Sequence, residues 1–176
     1  RSRAVVREVS SNFDRALSSY FGTHTPDPVA ARVAHADYVG ALEEQGVDVV
    51  VLPSLDQHPD CTFVEDAAIV VGDAVVIPFM GHPSREGEQE AVQDLLGSHL
   101  EIIKMPEGAT MDGGDIISFD RKFLIGRSTR TNDAGIAFFQ QVVEARGFDS
   151  VVFDVPDSTL HLTTVCSSPR PGMLVA

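Results

Sequence analysis

The sequence predicts an α+β fold assembled from a repeated unit of helix, strand, loop and hairpin. Three observations predict it. Three amphipathic stretches of helical period each end at a glycine. A short run rich in β-branched residues follows each of them. Acidic or imidazole side chains recur 49 residues apart, from Asp66 to Asp115 and from Asp112 to His161. Repeats of about 20–50 residues mark solenoids, propellers or closed rings.

The first helix is expected to open at Asp27-Pro28, an N-cap followed by proline at the first helical position, and to run through Val29, Val33 and Leu42 to Gly46. The second runs from about Arg85 through Val92, Leu95 and Leu96 to Gly97. The third opens at Asn132, sets Ile136, Phe139 and Val143 at helical spacing, and ends at Gly147. Strands follow at Val47–Leu52, Leu100–Lys104 and Val151–Val155, each leading through a proline (Pro53, Pro106, Pro156) into a polar loop. Hairpins come next. The first joins Thr62–Val71 to Ala74–Phe79 through Gly72-Asp73, and the second joins Asp115–Phe119 to Lys122–Ile125 through Asp120-Arg121. The third joins Leu160–Val165 to a strand from Met173 onward through a turn within residues 167–172. The sequence stops as that last strand begins, which reads as truncation of a larger ring.

At 176 residues and 43% hydrophobic content the chain suits a single domain with its own core. It has no apolar run of membrane-spanning length, and the basic start lacks the apolar stretch of a secretory signal. A net charge of −13 argues against nucleic acid and against anionic membrane surfaces. A concave acidic site would instead attract a small cation such as a guanidinium or an amine. Two cysteines, Cys61 and Cys166, make no disulfide framework and point to a reducing, cytoplasmic setting. The six histidines form no recognisable zinc pattern. Whether the protein is a homo-oligomer is left open.

Four segments carry candidate chemistry. In Pro59-Asp60-Cys61-Thr62-Phe63-Val64-Glu65-Asp66 three carboxylates enter an otherwise apolar strand, where they need partners or a role unless the entry is simply solvated. Strand alternation would put Asp66 on the face of Val64 and Thr62, and Glu65 on the other. In Met111-Asp112-Gly113-Gly114-Asp115 two glycines permit positive backbone angles or close approach, and the turn can aim both carboxylates at one ligand. In Ile125-Gly126-Arg127-Ser128-Thr129-Arg130-Thr131-Asn132 two arginines stand between strand and helix, and Arg85 occupies the same place one repeat earlier. Arginine suits bidentate carboxylate binding. Finally, His161 falls in register with Asp112. Cys166, five residues on, would face the other side of the same strand as a small buried residue, and Cys61 reads as packing or as a neighbour of the site.

Together the stretches PDCTFVEDAAIV, PSREGE, MDGGDI, IGRSTRTN and STLHLTTVCS resemble, in order and spacing, the dimethylarginine dimethylaminohydrolase family of the guanidine-modifying (pentein) superfamily. The resemblance implies an α/β propeller of five ββαβ units, of which this chain would hold about three. It implies that His161 and Asp112 are catalytic and that Asp66 holds the guanidinium. Asp60 and Glu65 would be substrate-site acids, Asp60 near the α-amino group. Arg85 and Arg130 would bind the α-carboxylate, and Leu17 would lie on a lid near the substrate. The implied reaction is hydrolysis of methylated arginine to citrulline and an alkylamine by a cysteine thiolate, with no metal or organic cofactor, in arginine metabolism and nitric oxide regulation. The nucleophilic cysteine would lie beyond residue 176. Thr163 stands where other branches carry an acid and close relatives a lysine. An arginine deiminase, an amidinotransferase and a non-catalytic guanidine-binding fragment are the competing readings.

Overall fold

A computed structural model describes residues 2–18 and 24–176. The chain forms two compact units, Arg1–Val64 and Glu65–Ala176. In the first unit, β1 (Arg3–Arg7) and β2 (Asp48–Leu52) pair in parallel, Arg3 opposite Asp48 and Arg7 opposite Leu52. Parallel neighbours need a crossover, and α1 (Pro28–Glu44) supplies it. The Asp27 carboxylate caps α1 by accepting the Val29 and Ala30 N–H groups at 2.8 and 3.4 Å, as the Asp-Pro pair predicted.

The second unit holds two complete repeats. In the first, β3 (Ile69–Val71) and β4 (Ala74–Ile77) form a hairpin, α2 (Glu90–Leu96) crosses over, and β5 (Glu101–Lys104) returns parallel to β4. In the second, β6 (Ile116–Phe119) and β7 (Lys122–Arg127) form the hairpin, α3 (Asp133–Ala145) crosses, and β8 (Asp149–Asp154) pairs parallel to β7. A single helical turn, α4 (Leu162–Val165), leads into a further hairpin of β9 (Ser167–Arg170) and β10 (Met173–Val175). The predicted α+β repeat is therefore present, each whole copy reading β-β-α-β.

The core of this unit lies between the two three-stranded sheets' helices and strands. Phe139 and Val143 of α3 are fully enclosed with Val71, Met111 and Ile125. Phe123 stacks edge-on to Phe139 at 5.7 Å and to Phe148 at 5.5 Å. A buried aromatic of this kind contributes roughly 1.5–3 kcal/mol through its burial.

Local geometry departs from the sequence reading in several places: β1 was not expected, the strand expected over Leu160–Val165 is replaced by the turn α4 with β9 following at Ser167–Arg170, and further departures lie at the site. The expected helix from Arg85 is a 3-10 turn at Pro83–Arg85 followed by α2 only from Glu90, because Gly87 adopts a positive φ of 104° that interrupts it. Glu65 and Asp66 lie in a 3-10 turn, Val64–Ala67, and not on a strand, so strand alternation does not set their directions. His161 likewise caps the turn α4, so the argument that alternation turns Cys166 away from it does not hold. Among the described residues no helix is long and apolar enough to cross a membrane.

Candidate active site

Three short turns in the second unit bring the site together: Val64–Ala67, Gly113–Asp115 and the segment entering α4. Each precedes a hairpin, so the repeat delivers one polar side chain from each copy to a common point. Asp66, Asp112 and His161 are all buried, and one ligand atom from each lies within 4.8 Å of the others. His161 Nε2 meets Asp112 Oδ2 at 3.1 Å, and Nδ1 lies 4.0 Å from Asp66 Oδ1. The convergence that the 49-residue spacing predicted is thus met.

The two glycines of the Asp112–Asp115 motif make this approach possible, through small size and not through unusual backbone angles. Neither has a positive φ. A Cβ on Gly113 would stand 2.0 Å from the Glu65 carbonyl oxygen, and one on Gly114 would stand 2.6 Å from His161 Nδ1 and 2.8 Å from Asp66 Oδ1. Gly114 also donates its N–H to Asp66 Oδ1 at 2.8 Å.

Charge is distributed unevenly across the cluster. Burial disfavours the ionised form of Asp112 most strongly, but hydrogen bonds from His161 and from the Gly81 N–H (2.7 Å), with the nearby Arg85 charge, prevail and hold its carboxyl below the usual range. Burial works against the imidazolium of His161, yet the hydrogen bond to Asp112 and the charges of Asp66, Asp115 and Asp112 outweigh it and raise its pKa. An imidazole whose protonated form is favoured by a neighbouring carboxylate is suited to deliver a proton. Glu65 is exposed as a residue, but desolvation, followed by the Asp66 charge, pushes its carboxyl up.

The arginines divide. Arg85 is buried in a two-sided ion pair, Nη1 to Asp66 Oδ2 at 2.5 Å and Nη2 to Glu88 Oε2 at 2.8 Å. Its pKa rises, because these hydrogen bonds and charges exceed the opposing effect of burial. The structure therefore pairs Arg85 with two carboxylates of the protein itself. Arg130 reaches Asp112 Oδ2 only at 3.7 Å. In the first unit, buried Asp60 accepts the Leu17 N–H at 3.0 Å, so these two candidates meet each other there.

Asp115, which the Gly-Gly turn was expected to aim inward, joins the cluster, and so do Glu88, Ser128 and Thr131, which the sequence did not mark as site residues. The signal was present, since each sits inside a motif already rich in charge, but only contacts reveal which member of PSREGE or IGRSTRTN turns inward. Cys61 is buried, with its Sγ accepting the Leu55 N–H at 3.3 Å. Cys166 is half-buried against Ile117, Leu124, Val155 and Leu162. The spacing of Asp66, Asp112 and His161 would also admit a cation. However, Asp66 is already engaged by Arg85 and Gly114, and Asp112 by Gly81 and His161, so the donor set fits proton transfer better than a metal centre.

Repeated ββαβ units with a buried aspartate–histidine cluster at their turns define the guanidine-modifying, pentein class. A family model described as N,N dimethylarginine dimethylhydrolase, eukaryotic, matches residues 26–169. The N(G),N(G)-dimethylarginine dimethylaminohydrolase of Pseudomonas aeruginosa is 34% identical over 155 residues, covering 86% of this chain and 59% of the relative. That of Streptomyces coelicolor is 28% identical over 176 residues, covering 98% and 67%. A solved Pseudomonas aeruginosa structure, a Cys→Ser mutant of that enzyme complexed with citrulline, superposes with a TM-score of 0.89 at 27% identity, over 95% of this chain and 66% of that one. The chain belongs to the dimethylarginine dimethylaminohydrolase family. It spans about three fifths to two thirds of the length of these relatives.

Proposed function

We propose that the protein hydrolyses the guanidinium of Nω-methylated arginine to citrulline and an alkylamine. The observation that carries this reading is the convergence of Asp66, Asp112 and His161 in one buried cluster. Asp66 and Asp112 face a planar cation with acceptors, and Arg130 is free enough of close ion pairing to take the substrate's α-carboxylate. Arg85 is read, with Arg130, as a residue for the substrate's α-carboxylate, and its ion pair also aims Asp66. Asp60, Leu17 and Glu65 are read as substrate-site residues on the strength of the family motifs. No metal or organic cofactor is needed. A sequence with two cysteines and no disulfide framework suits a reducing, cytoplasmic compartment, and the reaction would serve arginine metabolism and nitric oxide regulation.

The chemistry follows from the deactivated guanidinium carbon. A thiolate, soft and readily ionised, attacks it and forms a C–S bond. His161 gives its proton to the departing nitrogen as the C–N bond breaks and the alkylamine leaves. The neutral imidazole then takes a proton from water as the oxygen adds to the same carbon, the C–S bond breaks, and citrulline departs with the thiolate restored. Cys61 and Cys166 both have packing partners, so the thiol is assigned to sequence outside these 176 residues, which form part of a single catalytic domain.

Citrulline release from dimethylarginine by a chain extended to the relatives' length tests the reading. Turnover of arginine in its place would favour a deiminase, and transfer of the amidino group to an amine would favour an amidinotransferase. Binding of dimethylarginine without turnover would favour a guanidine-binding role. The 176 residues by themselves are expected to release no citrulline. Turnover by the short chain that Cys166→Ser abolishes would overturn the assignment of the thiol.

A further inference from the structure

We propose that Asp115 is a positioning residue for this site: its buried carboxylate ties the peptide after His161 to the loop that carries Arg130. Asp115 has no exposure to solvent. Its Oδ1 accepts the Leu162 N–H at 3.0 Å, the amide that follows His161. Its Oδ2 accepts the hydroxyls of Ser128 and Thr131, both at 2.6 Å. Those two residues flank Arg130, whose own N–H donates to Ser128 Oγ at 3.0 Å. The Thr131 hydroxyl in turn accepts the Asp112 N–H at 3.3 Å. One carboxylate therefore joins the backbones that place His161, Arg130 and Asp112.

The surroundings are shaped around it. A Cβ on Gly126 would lie 2.8 Å from Asp115 Oδ1 and 3.0 Å from the Leu162 Cβ, so β7 offers bare backbone at this point. All three donors to the carboxylate are neutral, and burying an anion among neutral donors is costly. An asparagine could accept the Leu162 N–H equally well and meet the two hydroxyls with its amide. A purely structural clamp has no need of a charge. The charge has one evident recipient. His161 is faced by Asp112, Asp66, Asp115 and Glu65, and Asp115 is among the groups that favour its protonated form, while burial pushes the Asp115 carboxyl itself up despite the hydroxyls of Ser128 and Thr131.

The catalytic meaning of this role rests on the proposed hydrolase reading, whereas the geometry can be measured without substrate. The test is an NMR titration of the isotope-labelled protein extended to the relatives' length, without substrate, following the His161 imidazole and the Leu162 amide in the parent, in Asp115→Asn and in the exposed control Asp120→Asn. Asp115→Asn is expected to lower the His161 midpoint by about one pH unit, a tenfold loss of the protonated fraction above both midpoints. It is also expected to move the Leu162 amide resonance, while Asp120→Asn moves neither. An unchanged midpoint and an unchanged Leu162 amide in folded Asp115→Asn would overturn the proposal. Should that variant fail to fold, Ser128→Ala and Thr131→Val decide. A shift at Leu162 or His161 supports the tie, and a response confined to the substituted loop refutes it. A complete enzyme that turns over no methylarginine would end the hydrolase reading while leaving the NMR outcome intact.

Discussion

The two long helices, α1 and α3, begin with equally clear signals and end in different environments. Asp27 caps α1, and Asn132 caps α3 by accepting the Gly135 N–H at 2.8 Å. Yet α3 buries Ile136, Phe139, Val142 and Val143, whereas no residue of α1 is buried and Val29, Val33 and Tyr38 are each more than half exposed. Helix ends are written locally, by caps that satisfy orphan N–H groups. Whether a helix contributes stability or positions a site depends on what covers its apolar face. The region around α3 also holds the buried polar cluster, so substitutions there should act strongly and those on α1 weakly.

The largest expected effect is catalytic. In the complete enzyme His161→Ala or Asp112→Asn should lower kcat by about 10²–10⁴-fold, the usual worth of a positioned acid–base group. Citrulline assays of these variants beside Val33→Ser, which should be unaffected, measure the contrast directly. Arg85→Ala should come next. It takes from buried Asp66 and Glu88 the guanidinium they share, and loss of one member of such a network costs roughly 3–5 kcal/mol. Urea unfolding should register it, and an unchanged midpoint would mean that the pair is not the structural element described here. Phe139→Ala should cost a similar 3–5 kcal/mol or so through the cavity it leaves. Tyr38→Ala on α1 should stay within about 0.5 kcal/mol. Comparable losses in both would erase the distinction between the helices.

The caps should behave alike. Asp27→Ala and Asn132→Ala are each expected to cost about 1 kcal/mol, since both remove one side-chain acceptor. The smallest effects should lie in the pH dependence of unfolding. His161 has a raised pKa in the fold, so its contribution is complete below the ordinary imidazole value of 6.5 and is lost as pH rises through the folded value. Asp112 has a lowered pKa, so its contribution is present above 3.8 and is lost as pH falls through the folded value. His161→Gln should remove the alkaline loss and weaken the acid one, since His161 helps hold the Asp112 carboxyl low, as read from thermal midpoints across pH.

Much of this was legible in order and spacing. The caps at Asp27 and Asn132, the hairpin turns at Gly72-Asp73 and Asp120-Arg121, and the recurrence that aligns Asp66, Asp112 and His161 are all local or periodic signals. What could not be read was direction. Glu65, Asp66 and His161 looked like strand residues because apolar, β-branched neighbours surround them, yet each occupies or enters a tight turn. The pairing of Arg85 with Asp66 and Glu88 was likewise not written in the order of the residues.

The sequence by itself determined the α+β repeat, the N-terminal caps of α1 and α3, the family and the three residues that meet, because caps, turns and repeat spacing are properties of neighbouring residues along the chain. Only the tertiary structure decided which charges pair. Asp112 and Asp115 stand three positions apart in one motif and are both wholly buried, but one meets an imidazole and the other two hydroxyls and an amide. Their ionisation is pushed in opposite directions as a result, since the energy of a buried charge is set by the partners that folding brings within a few ångströms.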